Sequence, residues 1–424
     1  MADELPDPSP NVLVYLIYKT IRVAFGWLQE AYWNWRYGPM AGRAQVCRVL
    51  YHLKNSWSDP AQPADFVLAH SHFEQFDAIL DDPRWTAYAF DRDHAYLARL
   101  PSSFVENYAI DKQTFAKAVV LYHAERVARV KLDEFCRRVQ RRCPDEKFAE
   151  STFVFFTNVV RGGSTLLARM LHHGGVSTVI AEPPAITVLS LRVREGVWPL
   201  ERFESILGAT LRFDARHFPA GRTLVTKTTS WEARLVPHVR RAAPFYKHFF
   251  LFRWDARKSL ERAMRSHANF SFRMTAWLWS VSPRLGAFVS GDIAAERDAL
   301  LKTKVPVFSA AVVAFCLDDS RVSGSRHLRF DLKEPVFYHQ IVSEELRRDA
   351  LARLFTLCAI PLDEKYFTAA DECLERDSQA GTSLEQRVVR RFAARPVDEK
   401  LSRRLYEMTL LMGLPQEEAR RFDK

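Results

Sequence analysis

The sequence predicts an α/β protein: a mostly parallel sheet covered by helices on both faces, preceded by a mainly helical N-terminal extension. Three observations carry that expectation. From Ser151 onward, short apolar runs alternate with helix-like segments, the pattern of βαβ units. One of those runs ends in a glycine pair just before a helical pattern begins. Residues 1–150 lack the alternation and carry longer helix-like stretches in its place.

Taken in order, Met1–Pro10 is acidic and Pro-rich, unlike the basic start of an export signal. Val12–Leu28 is apolar but interrupted by Lys19 and Arg22, which makes it a poor transmembrane candidate. On a helix, Lys19, Arg22 and Gln29 fall on one side, while Leu13, Leu16, Ile17, Phe25 and Leu28 crowd the rest. Such a helix either lies in a membrane interface, anchored by Trp27, Trp33 and Trp35, or packs on the protein's own core; the same pattern serves both. The placement that follows is cytoplasmic or membrane-associated, with a Golgi signal-anchor as a third alternative. Ser56–Asp65, with Pro60 and Pro63, reads as a linker. Phe115–Val139 places Val119, Val127, Val130, Phe135 and Val139 at helical spacing and reads as one long helix. The polar break Arg141–Ser151, with Pro144, separates this extension (1–150) from an α/β domain with a helical C-terminal part (151–424). In that domain Phe153–Thr157, Val176–Ala181, Thr223–Lys227, Phe249–Phe252 and Arg326–Phe330 are the strand candidates. Ligands of such sheets bind at the carboxyl ends of the strands.

The formal charge of +10 suits a phosphorylated cofactor, an anionic substrate or an anionic membrane surface. Nucleic acid is disfavoured, because zinc-finger spacing and RNP-like aromatic motifs are both missing. The six cysteines are scattered without a CxxC pair, which reads as free core thiols rather than a metal site.

The most informative segment is Phe155-Phe156-Thr157-Asn158-Val159-Val160-Arg161-Gly162-Gly163-Ser164-Thr165-Leu166-Leu167: a strand, a tight glycine turn, then two hydroxyl residues opening a helix. Gly162 and Gly163 let the backbone approach a phosphate, and the N–H groups and dipole of a helix start favour an anion. Ser164 and Thr165 add hydroxyl donors, and Arg161 adds a forked cation. An ordinary N-cap is the alternative. Gly163 runs directly into Ser164 without the lysine of GxxxxGK[ST], so an ordinary ATPase or kinase is disfavoured.

Val160–Leu167 resembles the 5′-phosphosulfate loop of the PAPS-dependent sulfotransferases, usually Pro-Arg/Lys-Ser-Gly-Ser/Thr-Thr. Arg161, Gly163, Ser164 and Thr165 match it, while Val160 replaces the proline and Gly162 the serine. Ala181-Glu182-Pro183 resembles the Glu-containing segment of the tyrosylprotein and carbohydrate-type branches. That resemblance implies Glu182 as the base that takes the acceptor's proton; a capping or salt-bridging carboxylate is the alternative. Leu224–Trp231 is similar to the family's strand ending in lysine, implying that Lys227 holds the bridging sulfate oxygen or donor phosphates; a solvated surface lysine is the alternative. Tyr246–Arg253 and the basic stretch Asp255–His267 resemble the 3′-phosphate segment, with Arg253 in the arginine's place. The family's serine is out of register, and Arg262 stands in for it. Leu328–Leu332 and Arg376–Thr382 are weaker echoes.

The resemblance implies a P-loop NTPase-like sulfotransferase fold and transfer of a sulfuryl group from PAPS to a hydroxyl or amine of an unidentified acceptor. Glu182, Arg161 and Lys227 would carry the chemistry, and no metal is implied. The departures leave an alternative open: a catalytically silent nucleotide-binding or membrane-adaptor protein on the same fold. Should Glu182 prove structural, His172, His173 and His267 are the next bases to consider.

Overall fold

The structure is a computed structural model and describes residues 12–37, 42–54, 60–158, 162–229, 231–252, 278, 281–282, 331–332, 336–378, 398–411 and 416. Two sheets of different kind organise them. The first half holds α1 (Val12–Tyr37), β1 (Arg43–His52), β2 (Phe66–Gln75), α2 (Phe76–Asp81), β3 (Trp85–Phe90), β4 (His94–Arg99), α3 (Phe104–Asn107), α4 (Ala116–His123), β5 (Arg126–Lys131) and α5 (Leu132–Arg142). Its strands form an antiparallel sheet in the order β2-β1-β5-β4-β3.

That sheet corrects the expectation of a mainly helical extension. Phe115–Val139 is not one helix but α4, β5 and α5 in succession. Val127 and Val130 sit three apart, as on a helix face, yet they belong to a run buried from Val127 through Val130. A strand flanked by neighbours on both sides buries consecutive residues, which a helical count mistakes for periodicity.

The second half follows the predicted alternation. It holds β6 (Thr152–Asn158), α6 (Ser164–Met170), β7 (Ser177–Ala181), α7 (Pro184–Glu195), α8 (Leu200–Ala215), β8 (Thr223–Lys227), α9 (Val236–Ala242), β9 (Tyr246–Phe252), β10 (Val336–Phe337), α10 (Tyr338–Val342), α11 (Glu344–Leu357), α12 (Glu364–Glu372) and α13 (Glu399–Leu411). The sheet is parallel throughout, in the order β10-β9-β6-β8-β7. Three of the five predicted strands lie within one residue of β6, β7 and β8, Phe249–Phe252 covers the last four residues of β9, and Arg326–Phe330 lies outside the described residues.

Successive residues of β6 enter different cores, because side chains alternate across a strand. Phe153 and Phe155 pack on the side of α7, α8 and α9, while Val154 and Phe156 pack with α6, α11 and α12. Burial on both faces explains the unbroken apolar run. Each fully buried phenylalanine there contributes roughly 1.5–3 kcal/mol, and Phe155→Ala would cost about 3–5 kcal/mol.

The core on the α8 side continues into the antiparallel sheet. Helix α8 is buried on nearly every side, touching α5, α9 and β3, as a helix between two layers must be. Gly208 permits the close approach, since a Cβ there would stand 2.6 Å from the Ala242 carbonyl oxygen. Arg216, at the end of α8, donates to the carbonyls of Leu80, Asp82 and Trp85 and ties the helix to the turn between α2 and β3.

Helix α1 turns its polar side inward. Arg22 donates to the Phe66 carbonyl and Gln29 to the Leu68 carbonyl, both on the edge strand β2, and Glu30 pairs with Arg129 of β5. Covering an edge strand in this way satisfies carbonyls that would otherwise recruit another strand. Among the described residues, no helix is long and apolar enough to cross a membrane. Cys47, Cys136, Cys143 and Cys358 are buried free thiols, and Cys373 is a half-buried one.

Candidate functional site

In the parallel sheet, β6 and β9 are neighbours whose following connections leave in opposite directions, toward β7 and toward β10. Such a switch point opens a crevice at the strands' carboxyl ends. The glycine turn begins there. Gly163 precedes α6 with φ +83°, a left-handed conformation that favours glycine. A Cβ on it would stand 2.0 Å from Cε2 of Tyr338, so the tyrosine ring closes directly over the turn. Ser164 and Thr165 are buried at the start of α6. Asn158, at the end of β6, is buried and donates to the Thr228 carbonyl at 2.7 Å.

Two strands along the same edge, Glu182 follows β7 and Lys227 ends β8. Their backbones are joined, with the Glu182 N–H donating to the Lys227 carbonyl at 2.7 Å and Lys227 lying in register with Phe156 of β6. The side chains meet as well: Lys227 Nζ lies 2.5 Å from Glu182 Oε1. A second lysine reaches the other oxygen, with Lys117 Nζ 2.7 Å from Oε2. All three groups are buried. Glu182 adopts φ +58°, a conformation in which non-glycine residues are strained and which clusters at functional sites.

Burial alone would push the Glu182 carboxyl up, but the ammonium groups of Lys117 and Lys227 outweigh it and hold the carboxyl at about 2. Each oxygen of the one carboxylate thus faces an ammonium group inside the fold. Lysines so deeply buried need anionic company, and Glu182 supplies it. The lysine of β8 is therefore no solvated surface residue.

A second acidic group braces the same edge. Glu232, buried after β8, accepts from Thr187 of α7 at 2.6 Å and also from Thr229. Thr228 donates back to the Phe156 carbonyl at 3.0 Å. These bonds fix the turn that follows Lys227.

Of the residues predicted from sequence, Glu182 and Lys227 are in direct contact, and Gly162, Gly163, Ser164 and Thr165 lie at the adjacent strand end. Arg161, Arg253 and Arg262 lie outside the described residues. His172 and His173 are not reserves for Glu182. They precede β7, at the amino edge of the sheet, where His172 pairs with Asp111 at 3.1 Å and His173 packs on Phe355 and Tyr366. His267 lies outside the described residues.

Lys117 escaped the sequence reading. The available signal was a lysine inside the run Ala116-Lys117-Ala118-Val119-Val120-Leu121, every member of which is buried. A lysine in such a run requires an anionic partner. No family model matches the chain, and no curated protein matches it.

Proposed function

We propose that the chain binds PAPS at the carboxyl edge of its parallel sheet, on a P-loop-like sulfotransferase fold, and transfers the sulfuryl group to an acceptor hydroxyl or amine. The observation that carries this reading is the buried Lys117–Glu182–Lys227 cluster beside the glycine turn. Its two lysines, together with buried hydroxyls at the start of α6, fit an anionic phosphosulfate. When bound, the donor supplies the sulfuryl group and leaves as PAP with the electron pair of the broken sulfur–oxygen bond.

The chain's own residues would act as follows. The turn Arg161–Thr165 holds the 5′-side phosphate, and Arg253 with Arg262 holds the 3′-phosphate. Lys227 and Lys117 neutralise charge growing on the bridging oxygen. Glu182 takes the acceptor's proton as the acceptor oxygen or nitrogen bonds to sulfur. A carboxylate held at about 2 is a weak base at neutral pH. Catalysis in this reading therefore needs the lysines to shift part of their attraction from Glu182 to the bound anion.

That same clamp favours the second reading, a catalytically silent nucleotide-binding protein in which Glu182 only neutralises two lysines. The two separate by experiment. PAP, but not ATP, should raise the melting temperature, and Thr165→Ala should remove the shift. Gly163→Val is no clean probe, since Tyr338 fills the space and the backbone disfavours a side chain. Labelled PAPS and an acceptor panel then test transfer. Glu182→Gln should slow it by about 10²–10⁴ if Glu182 is the base. Absence of any PAP shift in the wild type overturns both readings; a PAP shift without transfer leaves the silent one.

A further inference from the structure

We infer that the outer face of α1 docks on an anionic lipid bilayer surface and lies in its interface. Ile17, Ile21, Phe25, Trp27, Leu28 and Trp35 are each more than half exposed, reaching 73% at Trp27 and 80% at Trp35. Ile17, Ile21, Leu28 and Trp35 occupy the side opposite Lys19 and the edge strand of the antiparallel sheet, with Phe25 and Trp27 on its two flanks. Helices of a folded protein ordinarily do the reverse, and α5 does so here, burying Leu132, Phe135, Cys136 and Val139. An exposed apolar face this long marks an interaction surface.

Charge and shape select the occupant. From Val14 to Arg36 the exposed positions of α1 include no acidic residue, and Arg36 is their only ionised side chain. Glu30, the acid of the helix, is turned toward the sheet and paired with Arg129. With one arginine and no acid, such a face meets anionic headgroups with a weak attraction and no repulsion. Indole rings at Trp27 and Trp35 match the headgroup level of a bilayer, where one side of the ring is apolar and the other wet. The exposed positions span roughly 200° of arc at ~100° per residue. That is much wider than the two-position seam of a coiled coil, so a second copy is a poor fit. Leu50 and Tyr51 of β1, both exposed, extend the patch where Tyr51 meets Tyr18 of α1 at 6.3 Å between ring centres.

The full chain should co-float with vesicles of phosphatidylcholine and phosphatidylserine, and less with phosphatidylcholine alone. Replacing Ile21, Phe25 and Leu28 by Ser should cost about tenfold in partitioning per residue, leaving the variant at the bottom of the gradient. All three side chains face outward, so its melting temperature should stay near that of the wild type. Brominated lipid should quench wild-type fluorescence, and Trp27→Phe with Trp35→Phe should remove that quenching. A wild type that does not float, or a triple variant that floats equally, overturns the inference. So does a dimer by light scattering that the triple substitution dissolves, because a second copy then covers the face. A triple variant that melts many degrees lower overturns it too, since the chain's own residues then cover it.

Discussion

Each half of the molecule buries a lysine against a carboxylate, and the two sites differ in one respect. In the antiparallel half, Asp65 meets Lys54 at 3.5 Å, accepts from the Tyr88 hydroxyl at 2.7 Å and from the Gln62 N–H at 2.8 Å. The lysine and both hydrogen bonds converge on one oxygen, Oδ2. Beside the parallel sheet, Glu182 meets two lysines and its backbone is held at positive φ. The first is a fastening within one sheet layer. The second, with two lysines on one carboxylate and a strained backbone, is the geometry on which the proposed anion site rests.

Breaking each site should show the difference. The largest effect belongs to Lys54→Met, which leaves Asp65 buried without its cation. Stability should fall by about 3–5 kcal/mol in denaturant unfolding, while the PAP-induced shift persists. Lys227→Met should behave in the opposite way. It leaves Lys117 and Glu182 as a one-to-one pair, so stability should change by less than about 1 kcal/mol. Loss of a charge-assisted contact should weaken PAP about 10–100-fold by calorimetry. A severe stability loss with intact PAP binding would make the Glu182 cluster another fastening.

The smallest expected effect is a pH dependence, to which two buried groups of the second half contribute with opposite sign. His248 of β9 is buried and pushed down by desolvation from 6.5 to about 3. The unfolded chain takes up that proton below 6.5 and the folded one does not, so stability falls as pH drops from about 6.5 toward 3. Asp214, on α8 against β3, is pushed up by burial from 3.8 to about 6 despite bonds from Ala87 and Thr86. Its ionisation opposes folding, so stability rises as pH drops from about 6 to 3.8. Glu182, lowered from 4.5 to about 2, adds a loss only below 4.5. His173, pushed down by burial from 6.5 to about 4, adds to the loss, and burial lowers His52, His70, His172 and His217 as well, so the melting temperature should fall below pH 6.5, with Asp214 offsetting one proton of that fall between about 6 and 3.8. Asp214→Asn keeps an acceptor for Thr86 and Ala87 but removes the compensation. In that variant the fall should begin near pH 6.5 and reach a few degrees by pH 5.

The parallel sheet was legible because its strands are buried on both faces and read as unbroken apolar runs, as at Phe153–Phe156. The antiparallel sheet was not. Its strands β3 and β4 spend alanine where bulk would give a strand signal, at Ala87, Ala89, Ala95 and Ala98, and alanine is the best helix former. Glu182 and Lys227 were legible through their places after strands, whereas Lys117 meets them only through tertiary packing of the two halves. The helical pattern of α1 was visible, but its orientation was not. A helix has the same period whichever side faces the core, and only the carbonyls of Phe66 and Leu68 decide it.

Tyr338 closes over Gly163 from far along the chain, and this gives the turn a history during synthesis. Lys117 and Glu182 emerge from the ribosome first and can form a neutral pair as the early strands assemble. Lys227 follows and adds the second ammonium group. The ring of Tyr338 emerges last, roughly 10–35 s after Gly163 at ~5–20 residues per second. For that interval the nascent turn has no lid, and anything that shields or occupies it then acts on an opening that the finished protein no longer presents in the same form.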